Sequence, residues 1–231
     1  IYDPTSGSGS LLINIGTAVS KYMKSPDKVK YYAQELKENT YNLTRMNLVM
    51  RGISPSNLFV RNGDTLEDDW PFFEEGQTDT YQLVKVDAVV SNPPYSQKWD
   101  VKDKKFDPRF SNYGVAPKGK ADLAFLLHDL YHLEDDGIMT IVLPHGVLFR
   151  GNEEETIRMN LIEKNNIETC GDGPFVSVPL FMPVEKQGDR HKRTVPMSPL
   201  CSTPGLVFPA IVPFPDSNWK RYCKRAFALL E

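Results

Sequence analysis

Asn92-Pro93-Pro94-Tyr95 follows Ser91 and the apolar run Val86 to Val90, and it is the stretch of this chain whose residue types most clearly suit chemistry. Each proline fixes its own φ and removes an N–H, so the carbonyls of Asn92 and Pro93 are not consumed by a continuing helix. Together with the Asn92 side-chain oxygen they make a set of acceptors able to hold an exocyclic amino group, while Tyr95 can stack on the planar ring that bears it. The plainer reading is a strand-to-loop exit, since Asn-Pro pairs commonly start turns.

A second stretch narrows the ligand. Asp3-Pro4-Thr5-Ser6-Gly7-Ser8-Gly9-Ser10 runs into Leu11-Leu12-Ile13 and reads as a glycine-rich turn between a strand and an amphipathic helix. Gly7 and Gly9 permit close backbone approach, and the helix start offers unpaired N–H groups. The dinucleotide fingerprint wants a third glycine where this chain has Leu12, and no Gly-Lys-Ser/Thr follows. Both nicotinamide dinucleotides and an ATPase phosphate loop are thereby disfavoured. What fits is a nucleoside whose non-phosphate tail lies over the turn. Glu35, closing the strand-like run Val29 to Leu36, can accept from both ribose hydroxyls. Asp64, in the turn that ends Phe59 to Leu66, can accept from an adenine amino group. Taken singly, each is as easily a solvated carboxylate at a strand end.

The elements that must position these residues alternate. Helices are expected over Ser10 to Met23, Asn39 to Arg51 with Gly52 as its stop, Ala121 to Leu133 closed by Asp135-Asp136-Gly137, and Asn152 to Asn165 capped by Asn152. Ile138 to Leu143 reads as a buried strand. The pattern is α/β, with a mostly parallel sheet and helices on both faces. In such sheets ligands sit at the carboxyl ends of the strands, where the glycine turn, Glu35, Asp64 and Asn92 would converge.

Asp3 to Gly9, Gln34-Glu35, Asn62-Gly63-Asp64-Thr65-Leu66 and Asn92 to Tyr95, in this order, resemble the S-adenosylmethionine-dependent DNA adenine N6-methyltransferases. Tyr31 to Glu35, Arg61 to Leu66, Phe110 to Pro117 and Val142 to Gly151 are similar to the modification subunit of type I restriction–modification systems. The resemblance covers about residues 1 to 169. It implies a Rossmann-like methyltransferase fold, S-adenosyl-L-methionine as cofactor and methyl transfer to the exocyclic amine of a flipped adenine in DNA. It further implies a specificity subunit and a restriction subunit as partners, and a cytoplasmic location. By the same resemblance Asn92, Pro93, Pro94 and Tyr95 are the catalytic set. Asp3, Pro4, Thr5, Gly7, Ser8, Gly9, Ser10, Gln34, Glu35, Asp64, Thr65, Leu66 and Asn92 hold the cofactor. Ser6 stands where the family usually carries Cys or Ala, another small residue.

At 231 residues, 40% apolar and 25% charged, the chain can bury one substantial core and a small appendage. Its formal charge of −3 gives no overall basic face for DNA. Lys98, Lys102, Lys104, Lys105, Arg109, Lys118 and Lys120 cluster after the Asn-Pro-Pro-Tyr stretch, where they would either face a substrate or form a solvated loop. Cys170, Cys201 and Cys223 do not suggest a disulfide framework or a zinc site. His128 and His132, four apart on a helix, lack the glutamate and third ligand of a metalloprotease and read as core or helix-surface residues. No metal is called for. His145 receives no role.

After Cys170 the character changes. Residues 171–231 hold nine of the 18 prolines and keep neither a two-residue nor a 3.6-residue period. The division expected is a methyltransferase domain over 1–170 and a divergent Pro-rich segment over 171–231, the change a disrupted reading frame near residue 170 would leave. Val178 to Val184 and Gly205 to Phe208 are apolar enough for strands, at sheet edges only because of their prolines. Only Ile1 and Tyr2 precede Asp3, so the first strand is expected to be truncated, the chain a fragment, and the sheet weakly stable. Two other readings are open: a catalytically inactive fragment that acts as a binding module, and a protein-glutamine methyltransferase, where a side-chain amide replaces the base amine.

Overall fold

Apolar runs too short for helices, each followed by turn residues, become the strands of one mixed sheet. The computed structural model describes residues 1–21, 26–67, 83–167 and 176–181. The strands are β1 (Tyr2–Asp3), β2 (Tyr31–Glu35), β3 (Leu58–Asn62), β4 (Val86–Ser91), β5 (Leu133–Leu143) and β6 (Val176–Phe181). Their order in the sheet is β3-β2-β1-β4-β5-β6, and all neighbours run parallel except β5 and β6. The short β1 is central, with Tyr2 opposite Tyr32 on one side and Val89 on the other.

The helices are α1 (Ser10–Ser20), α2 (Glu38–Met50), α3 (Pro108–Ser111), α4 (Asp122–Tyr131) and α5 (Glu153–Glu163). They cover both faces, and alternation along the strands decides which side chain meets which layer. Val90, Tyr31 and Ala33 pack with Leu12 and Ile15 of α1 and Leu48 of α2. Val89 and Tyr2 pack on the opposite face with Leu123, Leu127 and Leu130 of α4 and with Ile157 and Leu161 of α5. Burying a side chain of the Leu or Ile type contributes roughly 1.5–3 kcal/mol, so these two clusters rather than helix propensity hold the layers together.

Three expectations need correction. The helix ending in Leu133 stops at Tyr131, because Leu133 already pairs with Val86 as the first residue of β5. Asp135-Asp136-Gly137 do turn the chain, but inside β5: pairing jumps from Val86–Leu133 to Ala88–Ile138, so the turn residues bulge out of the ladder. Asn152 precedes α5 with φ 59° and ψ −128° and makes no side-chain cap; its carbonyl accepts from the Thr156 N–H at 3.1 Å instead. Val176–Phe181 extends the Val178 stretch and forms an antiparallel strand at the sheet edge, where Pro179 is tolerated. Met23, the three cysteines and Gly205 to Phe208 lie outside the described residues.

Gly16 marks the tightest approach between α1 and the sheet, since a Cβ there would lie 2.3 Å from the Tyr31 hydroxyl and 2.5 Å from its ring. Tyr31 is buried, so relieving that contact means moving its ring within the cluster it shares with Leu12 and Leu48. Gly16→Ala is therefore expected to destabilise the fold by about 1–3 kcal/mol despite the better helix propensity of alanine. Urea denaturation followed by circular dichroism measures this directly.

Candidate functional site

β1 to β4 all end at the same edge of the sheet, and each is followed by one of the segments singled out in the sequence. β1 runs into Pro4–Ser10, β2 ends in Glu35, β3 leads to Asp64–Leu66, and β4 leads to Asn92–Tyr95. Because β1 has β2 on one side and β4 on the other, the chain leaves it in opposite directions, which opens a crevice at its carboxyl end.

Asp3 lies at that point. Its side chain is fully buried; Oδ1 accepts from the Thr5 N–H at 3.0 Å, whereas Oδ2 has no hydrogen-bond partner among the described residues. Burial pushes its carboxyl up to about 7, against the opposing hydrogen bond from Thr5 and with a smaller contribution from the Glu35 charge. A buried carboxylate oxygen left without a donor suits a cationic or hydrogen-bond-donating ligand. The turn beside it is built for close approach. Gly7 and Gly9 adopt φ 54° and 78°, conformations glycine accepts at little cost, and a Cβ on Gly7 would meet nothing nearer than 4.0 Å.

Partners from three elements hold the turn. Glu35 Oε2 accepts from the Gly7 N–H and Oε1 from the Lys37 N–H, both at 3.0 Å. Thr44 of α2 donates to the Gly7 carbonyl at 2.6 Å, and Asn47 Nδ2 donates to the Ser8 carbonyl at 2.9 Å. The Ser6 and Thr44 hydroxyls share a hydrogen bond, which gives a use to the serine at this position. The Ser6 N–H donates to the Gln34 carbonyl at 3.0 Å. Gln34 itself turns inward and is buried, its Oε1 accepting from the Tyr2 hydroxyl at 3.3 Å. Ser10 is exposed and shares a hydrogen bond with Ser8; no side chain caps α1, whose N-cap is Gly9. Thr65 donates to the Pro4 carbonyl, and Asp64 Oδ1 accepts from the Leu66 N–H at 2.9 Å.

Asn92, Pro94 and Tyr95 are exposed and Pro93 is buried. The Tyr95 hydroxyl donates to Asn92 Oδ1 at 3.1 Å. Its phenol is raised above the ordinary range by partial burial and by the Asp122 charge.

The basic cluster divides. Arg109 does not face outward: it is 2% exposed, pairs with Asp107 at 2.6 Å, and donates to the carbonyls of Thr65 and Leu66 at 3.0 and 3.1 Å. Lys104 is turned back onto the Leu66 carbonyl and Glu67. Lys98, Lys102, Lys105 and Lys118 are exposed. Arg109 also donates to His128 Nδ1 at 3.1 Å. That fixes the tautomer, because an arginine can only donate: His128 Nε2 carries the proton and donates to the Tyr2 hydroxyl at 2.9 Å. Burial, His132 and Arg109 hold His128 well below the usual histidine range and thus neutral. His128 and His132 are core residues. His145 is exposed and packs edge-on against Phe149. Among the described residues no group of three His, Cys, Asp or Glu could hold a metal ion, and no helix is long and apolar enough to cross a membrane.

Thr44, Asn47, Arg109 and His128 were not legible as supports of the site. Thr44 and Asn47 fall on one side of a helix whose hydrophobic pattern is weak, and Arg109 looks like any other member of a basic loop.

Raising a carboxyl from 3.8 to about 7 on folding costs stability once it ionises. The folded state then binds the proton more tightly than the unfolded one, so Asp3 contributes fully below about pH 4 and that contribution is lost as pH rises through about 7. Asp3→Asn keeps an acceptor for Thr5, and each tenfold difference in proton affinity between the folded and unfolded states is worth ~1.4 kcal/mol. The substitution is therefore expected to raise stability at pH 8 by a few kcal/mol and to change little at pH 4. Denaturant titrations at both pH values test the sign.

The model of the N-6 DNA methylase family matches residues 1–176. The chain is 41% identical over 174 residues to the type I restriction enzyme MpnII methylase subunit of Mycoplasma pneumoniae, a match covering 73% of this chain and 31% of that protein. It is 30% identical over 189 residues to the MjaIX methylase subunit of Methanocaldococcus jannaschii, covering 78% and 32%. A solved type I restriction-modification methyltransferase subunit from Streptococcus thermophilus is 46% identical, with a TM-score of 0.69 and coverage of 78% of this chain and 39% of that one. The chain thus spans about a third of the length of these curated relatives.

Proposed function

The chain belongs to the N-6 DNA methylase family, and on that premise we propose that it is the catalytic part of a type I modification subunit that methylates N6 of adenine in DNA. The methyl donor is S-adenosyl-L-methionine, whose sulfonium supplies an activated methyl group. The observation that carries this reading is the orphaned, buried Asp3 carboxyl at the end of the central strand, with Glu35 on one side and Asn92 on the other. A specificity subunit supplies DNA recognition, and a restriction subunit completes the assembly.

Each residue has a physical task in this scheme. Asp3 and the open face of Gly7 receive the cationic methionine end of the donor, since an orphaned carboxylate gains most from a positive charge. Pro4, Thr5, Ser8, Gly9 and Ser10 give the turn its shape. Glu35 accepts from the ribose hydroxyls: its two oxygens each hold one backbone N–H, and a carboxylate offers about four acceptor sites. Asp64, Thr65 and Leu66 border the adenine of the donor, and Gln34 shapes the pocket through its backbone. Tyr95 stacks on the extruded target base, while the Asn92 side chain and the Pro93 carbonyl accept from its N6 hydrogens. Those two bonds orient the nitrogen lone pair, so that holding it in line with the methyl group does most of the catalytic work. N6 would attack the methyl carbon as the methyl–sulfur bond breaks and S-adenosylhomocysteine leaves, and the methylated, cationic nitrogen would then give up one proton to solvent.

The first test is calorimetric titration of S-adenosylmethionine into the chain, with Asp64→Ala as control. Saturable binding weakened at least about tenfold by Asp64→Ala is expected from the loss of a charged hydrogen bond. In the complex with its specificity subunit, Asn92→Ala is expected to lower methyl transfer to DNA at least about 100-fold while leaving cofactor affinity nearly unchanged. Loss of both together, or transfer to protein glutamine and not to DNA, would contradict this assignment.

A further inference from the structure

We infer that Asp122 and Asp129 of α4 are positioning residues that grip the Asn92–Tyr95 segment from both of its ends. The inference rests on the function proposed above for that segment. The two aspartates are seven residues apart, two helical turns, and so project from the same side of α4. Both are almost completely buried in a helix whose other described side chains, His128 apart, are apolar up to Leu130. Asp129 Oδ2 accepts from the hydroxyl of Ser91, the residue immediately before Asn92. Asp122 Oδ1 accepts from the backbone N–H of Ser96, the residue immediately after Tyr95, at 2.7 Å.

The far end needs such a partner. Ser96 has φ 52°, the left-handed conformation that a residue with a side chain adopts at a cost on the order of 1 kcal/mol unless its surroundings impose it. The charged hydrogen bond to Asp122 supplies that imposition. Asp122 is anchored in turn: its other oxygen accepts from Arg150 at 3.0 Å, and Arg150 also meets Glu154 of α5 at 3.1 Å. The turn after β5 is thereby tied to the same carboxylate.

Between the two anchors lie two prolines with no N–H and an exposed asparagine and tyrosine that are bonded to each other, so the anchors at the two ends help set where that pair stands. Helix α4 acts as a ruler. Its spacing sets the distance between Ser91 and Ser96, and with it where the Asn92 and Pro93 acceptors stand. Buried aspartates kept only for fold stability would affect the whole molecule alike; positioning aspartates affect residues 92–97 first.

Two readouts separate these roles. Hydrogen exchange at the Asn92, Tyr95, Ser96 and Gln97 amides is compared with exchange in β2 and α2, and kcat is measured per bound S-adenosylmethionine in the complex with the specificity subunit. For Asp122→Ala, exchange in the 92–97 segment is expected to rise at least about tenfold with β2 and α2 unchanged, and kcat to fall at least about tenfold at unaltered cofactor affinity. Asp122→Asn keeps an acceptor for Ser96 but sets an amide NH2 against the Arg150 donor, so its effect on the 92–97 amides is expected to be smaller than that of Asp122→Ala while remaining measurable. Should Asp122→Ala fail to fold, Ser91→Ala removes only the hydrogen bond at the other end and is expected to loosen the same amides. Unchanged exchange at residues 92–97 in the folded variants would overturn the inference. Unmodified protein that binds S-adenosylmethionine but does not methylate adenine would overturn the proposed function, while exchange would still decide the role of the aspartates.

Discussion

The cost of keeping a carboxylate dry at the end of the central strand governs this structure. Asp3 has no exposed surface, and one of its oxygens meets no donor within the described protein. A protein that needed only stability would have paired that oxygen or replaced it by an apolar group. Instead the surroundings hold the arrangement open. Thr65 clips Pro4, Glu35 holds Gly7, and Thr44 and Asn47 take up the carbonyls of the glycine turn, which leaves the Thr5 N–H as the loop's contribution to Asp3. The neighbouring buried Asp129 makes the constraint more severe: burial and the Asp3 charge push its carboxyl well above the usual range, against the lowering effect of Ser91.

Around this point the polar groups of the core form a connected set. Arg109 joins the Thr65–Leu66 carbonyls to His128, His128 to Tyr2, and Tyr2 to Gln34. The path touches α3, α4, β1 and β2 and lies beneath the floor of the crevice. Each member has a defined donor or acceptor role, which is what allows a buried polar chain to add rigidity instead of strain. An arginine here is fitted to the task, because its planar fork reaches an ion pair, two carbonyls and a ring nitrogen together.

Much of the fold and the outline of the site were legible in the sequence because they rest on local chemistry. Gly7 and Gly9 signal a tight turn, the two prolines signal a strand exit, and the alternation of apolar runs signals a parallel sheet. All of these depend on residues within a few positions of one another. What escaped notice depends on contacts across long separations. Arg109 and Lys104 looked like part of a basic loop, either substrate-facing or solvated, yet burial and Asp107 draw the arginine inward while Glu67 and the Leu66 carbonyl draw the lysine back. Asp122 received no reading of its own: it falls in the first turn of α4, and nothing near it in the chain points to Ser96 or Arg150. Asp135-Asp136-Gly137, expected to close the helix, proved to bulge within β5 for a related reason: Asp-Asp-Gly identifies a turn but not which element it interrupts.

The hydrogen bond from Tyr95 to Asn92 occupies one of the two lone pairs of the acceptor at the mouth of the crevice. The other stays open to an incoming donor, so a guest can be held without displacing the phenol. An intramolecular donor three residues away acts at a high effective concentration and never diffuses off. The phenol thus stays beside the amide oxygen between encounters, so that an aromatic ring and an open acceptor travel as one unit.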